Sequence, residues 1–160
     1  MPHVIRLRGP WRCEALARTR RRADGTSEIV SGELPPAGQI QVPSDWGEVL
    51  GENFRGRVRY SRRFNRPSGM SAVRRVDLVI ECVDAFGAVA LNDDVLGTIP
   101  PGLHVFRSDL TARLKPHNRL TIDVELPECL DFSAALARRG RDGRPGGLIG
   151  EVRLEIFAAE

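Results

Sequence analysis

Hydrophobic and polar residues alternate along most of this chain. In the segment 75–82, Val76, Leu78, Ile80 and Cys82 fall on one face and Arg75, Asp77 and Glu81 on the other, the period-two signature of a strand with one covered face. Segment 118–126 repeats it, with Leu120, Ile122, Val124 and Leu126 inward and Thr121, Asp123 and Glu125 outward. At the C-terminal end Val152, Leu154 and Ile156 alternate with Arg153 and Glu155. Strands are also expected over 11–18, 27–31, 39–42, 57–64, 86–91, 95–99 and 105–108, separated by turn residues at short intervals. One wet face per strand is the habit of antiparallel sheets, and the spacing is that of a sandwich rather than of alternating βαβ units. The pattern therefore predicts an all-β fold, a two-sheet antiparallel β-sandwich, with Val76, Leu78, Ile80, Leu120, Ile122, Val124, Val152, Leu154 and Ile156 between the sheets.

Between two of these strands, Asn92-Asp93 reads as a hairpin turn, because both side chains tolerate positive φ. One helical stretch is expected at 131–139, with Asp131 near its cap and arginines at its C-terminal end. The Gly- and Arg-rich segment 140–147 reads as a mobile loop.

Length and composition add bounds. The 160 residues, 41% hydrophobic and 28% charged, fit one domain spanning 1–160. Net charge is only +3, from 24 basic and 21 acidic residues, and Lys115 is the only lysine. Two arginine clusters, Arg18, Arg20, Arg21 and Arg22, then Arg138, Arg139, Arg141 and Arg144, read as solvated loops rather than a concentrated nucleic-acid face. Cys13, Cys82 and Cys129 are odd in number and far apart, and the first residues contain no apolar export segment, which leads to the expectation of a reducing cytoplasm. No Cys or His pair has metal-ligand spacing and no apolar run approaches the ~18 residues of a membrane span, so neither metal, cofactor nor membrane is expected.

Several short motifs, in order, carry a family resemblance. Val42-Pro43-Ser44-Asp45-Trp46 is similar to "VPxxW", and the 56–64 run, with Gly56, Tyr60, Arg62 and Phe64, to "G-x-x-x-Y-x-R-x-F". Val83-Asp84 through Leu91-Asn92 resembles "V-D-x-x-x-x-V-x-L-N-G". Val95-Leu96-Gly97, Gly102 and 106–111 follow "V-G…G…F-x-x-D-[LI]-T". The 118–124 run resembles "N-x-L-x-V-x-V", and 147–152 the closing "G-I-x-x-x-V". Together they resemble the sugar-binding, N-terminal domain of glycoside hydrolase family two, which includes β-galactosidases, β-glucuronidases and β-mannosidases. The resemblance runs from Trp11 to Phe157 and implies a galactose-binding-like jelly roll. Asp93 stands where the family's turn glycine is usual, and Gly150 where catalytic members often carry arginine.

That resemblance implies no catalysis by this chain alone. The family's two catalytic glutamates lie on a barrel that needs about 250 residues, and retaining hydrolysis needs two carboxyl groups about 5–5.5 Å apart. No Asn-Glu dipeptide, no G-x-S-x-G elbow and no phosphate loop is present. The leading expectation is a non-catalytic carbohydrate-recognition module whose partner is a carbohydrate ligand. The alternatives are an interaction subunit docking on a separately encoded glycoside hydrolase catalytic chain, or a truncated glycosyl hydrolase. Candidate carbohydrate-binding residues are Asn92, Asp93, His104 and Trp46, with the hairpin tip and the 100–104 loop expected to converge at one edge. The competing structural readings are a turn for Asn92 and Asp93, a rigid Pro-Pro loop carrying His104, and a packed Trp46. Asp84 and Asp109 are expected to bond nearby backbone groups.

Overall fold

A computed structural model describes residues 1–129, 138 and 140–160. Among the described residues strand dominates, at 55% against 5% helix. One sheet has four strands in the order β1 (His3–Arg6), β15 (Val152–Ala158), β7 (Val73–Glu81), β11 (Val105–Asp109). The larger sheet runs β10 (Asp94–Ile99), β9 (Phe86–Leu91), β12 (His117–Leu126), β6 (Gly56–Asn65), β2 (Trp11–Arg21), β13 (Glu128–Cys129). Two short strands, β3 (Ser27–Val30) and β4 (Gly38–Ile40), add to β2. Among the described residues every pairing is antiparallel except the two-residue contact of β13 with β2.

The alternation read from the sequence is what closes the sandwich. All nine residues expected between the sheets are buried, joined by Trp11, Cys13, Tyr60, Val89 and Leu91 in one apolar cluster. Cys82 departs from the expected pattern: β7 ends at Glu81, and Cys82 turns out of the strand with φ 54° and is only half-buried. The outer face of the four-stranded sheet carries a network of charges. There Arg107 bridges Asp77 (2.9 Å) and Glu155 (3.0 Å), and Arg153 spans Glu81, Glu151 and Glu155.

A third, small sheet crosses one end of the sandwich: β5 (Ser44–Asp45), β14 (Gly147–Leu148), β8 (Val83–Asp84). Beside it sits α1 (Gly47–Leu50), one helical turn long. The helix expected over 131–139 lies outside the described residues apart from Arg138. Two further expectations are corrected. Arg18, Arg20 and Arg21 belong to β2, where Arg18 and Arg21 lie over the rings of Phe54 (5.2 Å) and Phe86 (5.3 Å) rather than in a solvated loop. The expected mobile loop 140–147 is fastened at its end, where Pro145, Gly146 and Gly147 are buried and Trp46 donates its amide to the Gly146 carbonyl (3.0 Å).

Candidate functional site

The small third sheet places two carboxylates on either side of one glycine, since Gly147 pairs with Asp45 on one flank and Asp84 on the other. Gly147 must lack a side chain: its φ is 151°, and a Cβ would come within 2.8 Å of the Tyr60 hydroxyl and 2.9 Å of the Ser44 carbonyl. Asp84 lies at the floor, 4% exposed, and follows directly on the half-buried turn at Cys82. The Asp84–Ala85 peptide bond is cis.

Charge explains how Asp84 stays buried. Arg138 grips it as a two-pronged fork, Nε to Oδ1 at 2.9 Å and a terminal nitrogen to Oδ2 at 2.7 Å, and Arg141 adds Nε to Oδ2 at 2.8 Å. A buried carboxylate needs this kind of paired, hydrogen-bonded company. The same arginines hold the segment that carries them: Arg138 donates to the Arg144 carbonyl and Arg141 to that of Pro145. Arg141 also reaches Asp45 at 3.7 Å. Nearby, Arg55 donates to the Gly143 carbonyl (3.2 Å); burial first, then repulsion from Arg138, push its guanidinium below the ordinary value. Among the described residues Asp84 thus bonds arginine side chains and not the neighbouring backbone, contrary to expectation. Asp109 behaves as expected, accepting from the Thr111 amide (2.9 Å) and hydroxyl, which lower its pKa.

Two cavities meet at Arg141 and Ile149. One, about 190 Å³, reaches from Asp84 to Gly102 and Leu103. The other, about 510 Å³, is bordered by Pro43, Ser44, Asp45, Glu48 and Glu52. The resulting end cleft combines carboxylates, guanidinium groups and a hydroxyl with the apolar surfaces of Pro43, Leu103 and Ile149. Such a mixture can hydrogen-bond hydroxyl groups while covering C–H faces.

The residues singled out from the sequence do not converge here. Asn92 and Asp93 form a two-residue turn with φ 51° and 69° at one end of β10, whereas the 100–104 loop leaves the other end. Six strand residues, about 20 Å, separate them. The expected common edge is therefore corrected. The Asn92 amide is spent on structure, donating to Asn118 Oδ1 (3.1 Å) and accepting from the Arg119 amide (2.8 Å). Asp93 is exposed and borders a separate cavity on the outer face of the large sheet. Trp46 is fully buried, edge-on to Phe54, and donates its indole N–H to the Phe54 carbonyl (3.3 Å), so its ring offers no face to a ligand. His104 is exposed beside the end cleft, and its carbonyl accepts from the Cys82 amide (3.1 Å). Arg138 and Arg141 escaped the sequence reading because a Gly-rich arginine run looks solvated unless its distant acid is known. The one available signal was Asp84, an acid placed between strand-forming residues.

No protein-family model matches the chain, and no curated protein matches it. Among solved structures it is similar to a β-glucuronidase of Bifidobacterium dentium complexed with coumarin-3-O-glucuronide, at 21% identity and a TM-score of 0.70, over 98% of this chain and 30% of that one. A β-glucuronidase of Faecalibacterium prausnitzii gives 20% and 0.69, over 99% and 32%. A GH2 β-galacturonidase of Eisenbergiella tayi bound to galacturonate gives 18% and 0.68, over 96% and 24%. The chain thus has the fold of one part of these glycosidases and spans less than a third of the length of any of the three.

Proposed function

We propose that the chain is a non-catalytic carbohydrate-recognition module that takes its ligand in the end cleft. The observation that carries this reading is the Asp84–Arg138–Arg141 cluster beneath the cleft, which holds a rigid polar floor next to Leu103 and Ile149. The three enzymes of the same fold act on glycosides, and the motif order resembles the sugar-binding domain of glycoside hydrolase family two. Catalysis is not part of the proposal. The Asp84 oxygens are occupied by three guanidinium bonds, which suits a positioning group and not a proton carrier. Of the residues first singled out, His104 adjoins the cleft-wall residue Leu103 and the buried Trp46 adjoins Asp45; Asn92 and Asp93 stand apart from the cleft.

Titrating mono- and oligosaccharides while following backbone amide shifts tests the reading. Shifts at Asp45, Leu103 and Ile149, lost in a Glu48→Gln/Glu52→Gln variant, are expected. Saturable binding whose shifts lie wholly elsewhere would sink the site. A second reading, docking on a glycosidase catalytic chain, is favoured by one observation: Leu103 and Val105 expose apolar surface beside the cleft. Co-purification of a barrel-type glycosidase with the tagged chain, lost on Leu103→Asp, would support it.

A further inference from the structure

Along β6 and β12 the outward-facing residues form a ladder of cross-strand pairs. Arg57 stands opposite Glu125 and Arg59 opposite Asp123; then come Ser61 with Thr121 and Arg63 with Arg119. The first two rungs are complementary, with Arg59 forked onto Asp123 at 2.8 and 3.0 Å. The fourth sets two arginines directly against each other, an arrangement that destabilises a sheet. Among the described residues no carboxylate lies within ion-pair distance of Arg63 or Arg119.

These arginines line an open cavity of about 380 Å³, together with Arg12, Gln39 and Ser61 and with no acid on its wall. Arg119 also borders the neighbouring cavity of about 280 Å³, whose wall includes Arg59, Asp93, Thr121 and Asp123. The two make one trough across β9, β12, β6 and β2, floored by short side chains (Ala88, Ala90, Ser61, Thr121) and basic at its Pro10 end. It shares no lining residue with the end cleft.

We propose that this trough binds an acidic oligosaccharide, its carboxylate or sulfate groups seated between Arg63 and Arg119. The proposal rests on the reading of the chain as a carbohydrate-recognition module but uses a different surface. Guanidinium pairs recognise planar or tetrahedral oxyanions through parallel N–H bonds, and Ser61, Thr121 and Gln39 supply hydroxyl and amide partners for the sugar ring. The lining contains no aromatic side chain on which bases would stack, which disfavours single-stranded nucleic acid. A bound oxyanion relieves the repulsion that the like-charged rung imposes on the free protein.

The test titrates the full chain at about 150 mM salt with tetragalacturonate, with a sulfated chondroitin tetrasaccharide, and with fully methyl-esterified tetragalacturonate, which keeps the hydroxyl groups and loses the charge. Binding of either acidic probe with amide shifts at Ser61, Arg119 and Thr121, at least about tenfold tighter than the ester, is expected, and which acid binds distinguishes carboxylate from sulfate. In Arg63→Gln/Arg119→Gln the affinity falls by a similar factor while thermal stability is unchanged or higher. Equal binding of acid and ester, undiminished binding by the variant, equally tight binding of inorganic sulfate or of an oligonucleotide, or a lower melting temperature of the variant would each overturn the proposal. Glu48→Gln/Glu52→Gln leaves trough binding intact, so loss of the end-cleft reading shows separately, as absent shifts at Leu103 and Ile149.

Discussion

Asp84 and Asp123 are both acids paired with arginine, yet they differ in what their loss costs. Arg59 and Asp123 remain 39% and 23% exposed, where water screens the pair and holds its worth to about 0.2–1 kcal/mol. Asp84 and Arg138 are 4% and 7% exposed, so Asp84→Ala strands two cations in a poorly solvated site and should cost about 3–5 kcal/mol. Urea unfolding of the two alanine variants checks the contrast; equal costs would show that the Asp84 cluster is open to water. Ile122→Ala, at a position with no exposure, should cost about 2–5 kcal/mol by the same measurement. Thiol chemistry offers another residue-level check. Burial pushes Cys13 up to about 12, partly offset by a hydrogen bond with Tyr60, whereas Cys129 is exposed. At neutral pH Cys129 should react first with a thiol reagent and Cys13 only on unfolding; prompt labelling of Cys13 in the folded chain would contradict this packing.

At the scale of elements, the outer face of the four-stranded sheet is held by a charge network and not by apolar cover. A hydrogen bond from Arg107, with help from Arg153, draws the Glu155 carboxyl below its ordinary value. A carboxylate whose pKa is lowered on folding contributes stability above its unfolded pKa, about 4.3, and loses it as the pH falls through the folded value. Arg107→Gln should therefore melt lower than the native chain at neutral pH, and the gap should close under acid conditions. A gap that widens on acidification would show that Glu155 is not the group responsible. Strands with strict alternation, such as β12 and β15, were legible from sequence because each side chain's face is set by the backbone's own period of two. The short strands β5, β8 and β14 were not, since two residues have no period. They exist only because three distant segments meet.

For the whole molecule, the expectation is that the purified chain hydrolyses no aryl β-glucuronide, β-galactoside or β-mannoside above background. Turnover that survives repurification and vanishes with one acidic substitution would refute it. Among the described residues no helix is long and apolar enough to cross a membrane, and no cluster of three His, Cys, Asp or Glu side chains is arranged to hold a metal ion. What the molecule presents instead is two separate polar surfaces, the end cleft and the arginine trough, on one sandwich. The fold supplies both without further elements, because β6 and β12 carry the trough on their outward face while the third sheet braces the cleft.

Alternation by itself determined the all-β class and the nine residues between the sheets, and the tolerance of Asn and Asp for positive φ gave the Asn92-Asp93 turn; all of these depend on neighbours a few residues apart in the chain. Tertiary structure alone decided which polar residues act together. Asp84 meets Arg138 and Arg141 across more than fifty positions, Arg63 meets Arg119 only through the β6–β12 register, and the 100–104 loop parts from the 92–93 turn by the length of β10. Hydrophobic burial follows a local period that a sequence displays. The pairing of charges follows strand register and chain crossing, which depend on how the whole set of strands packs.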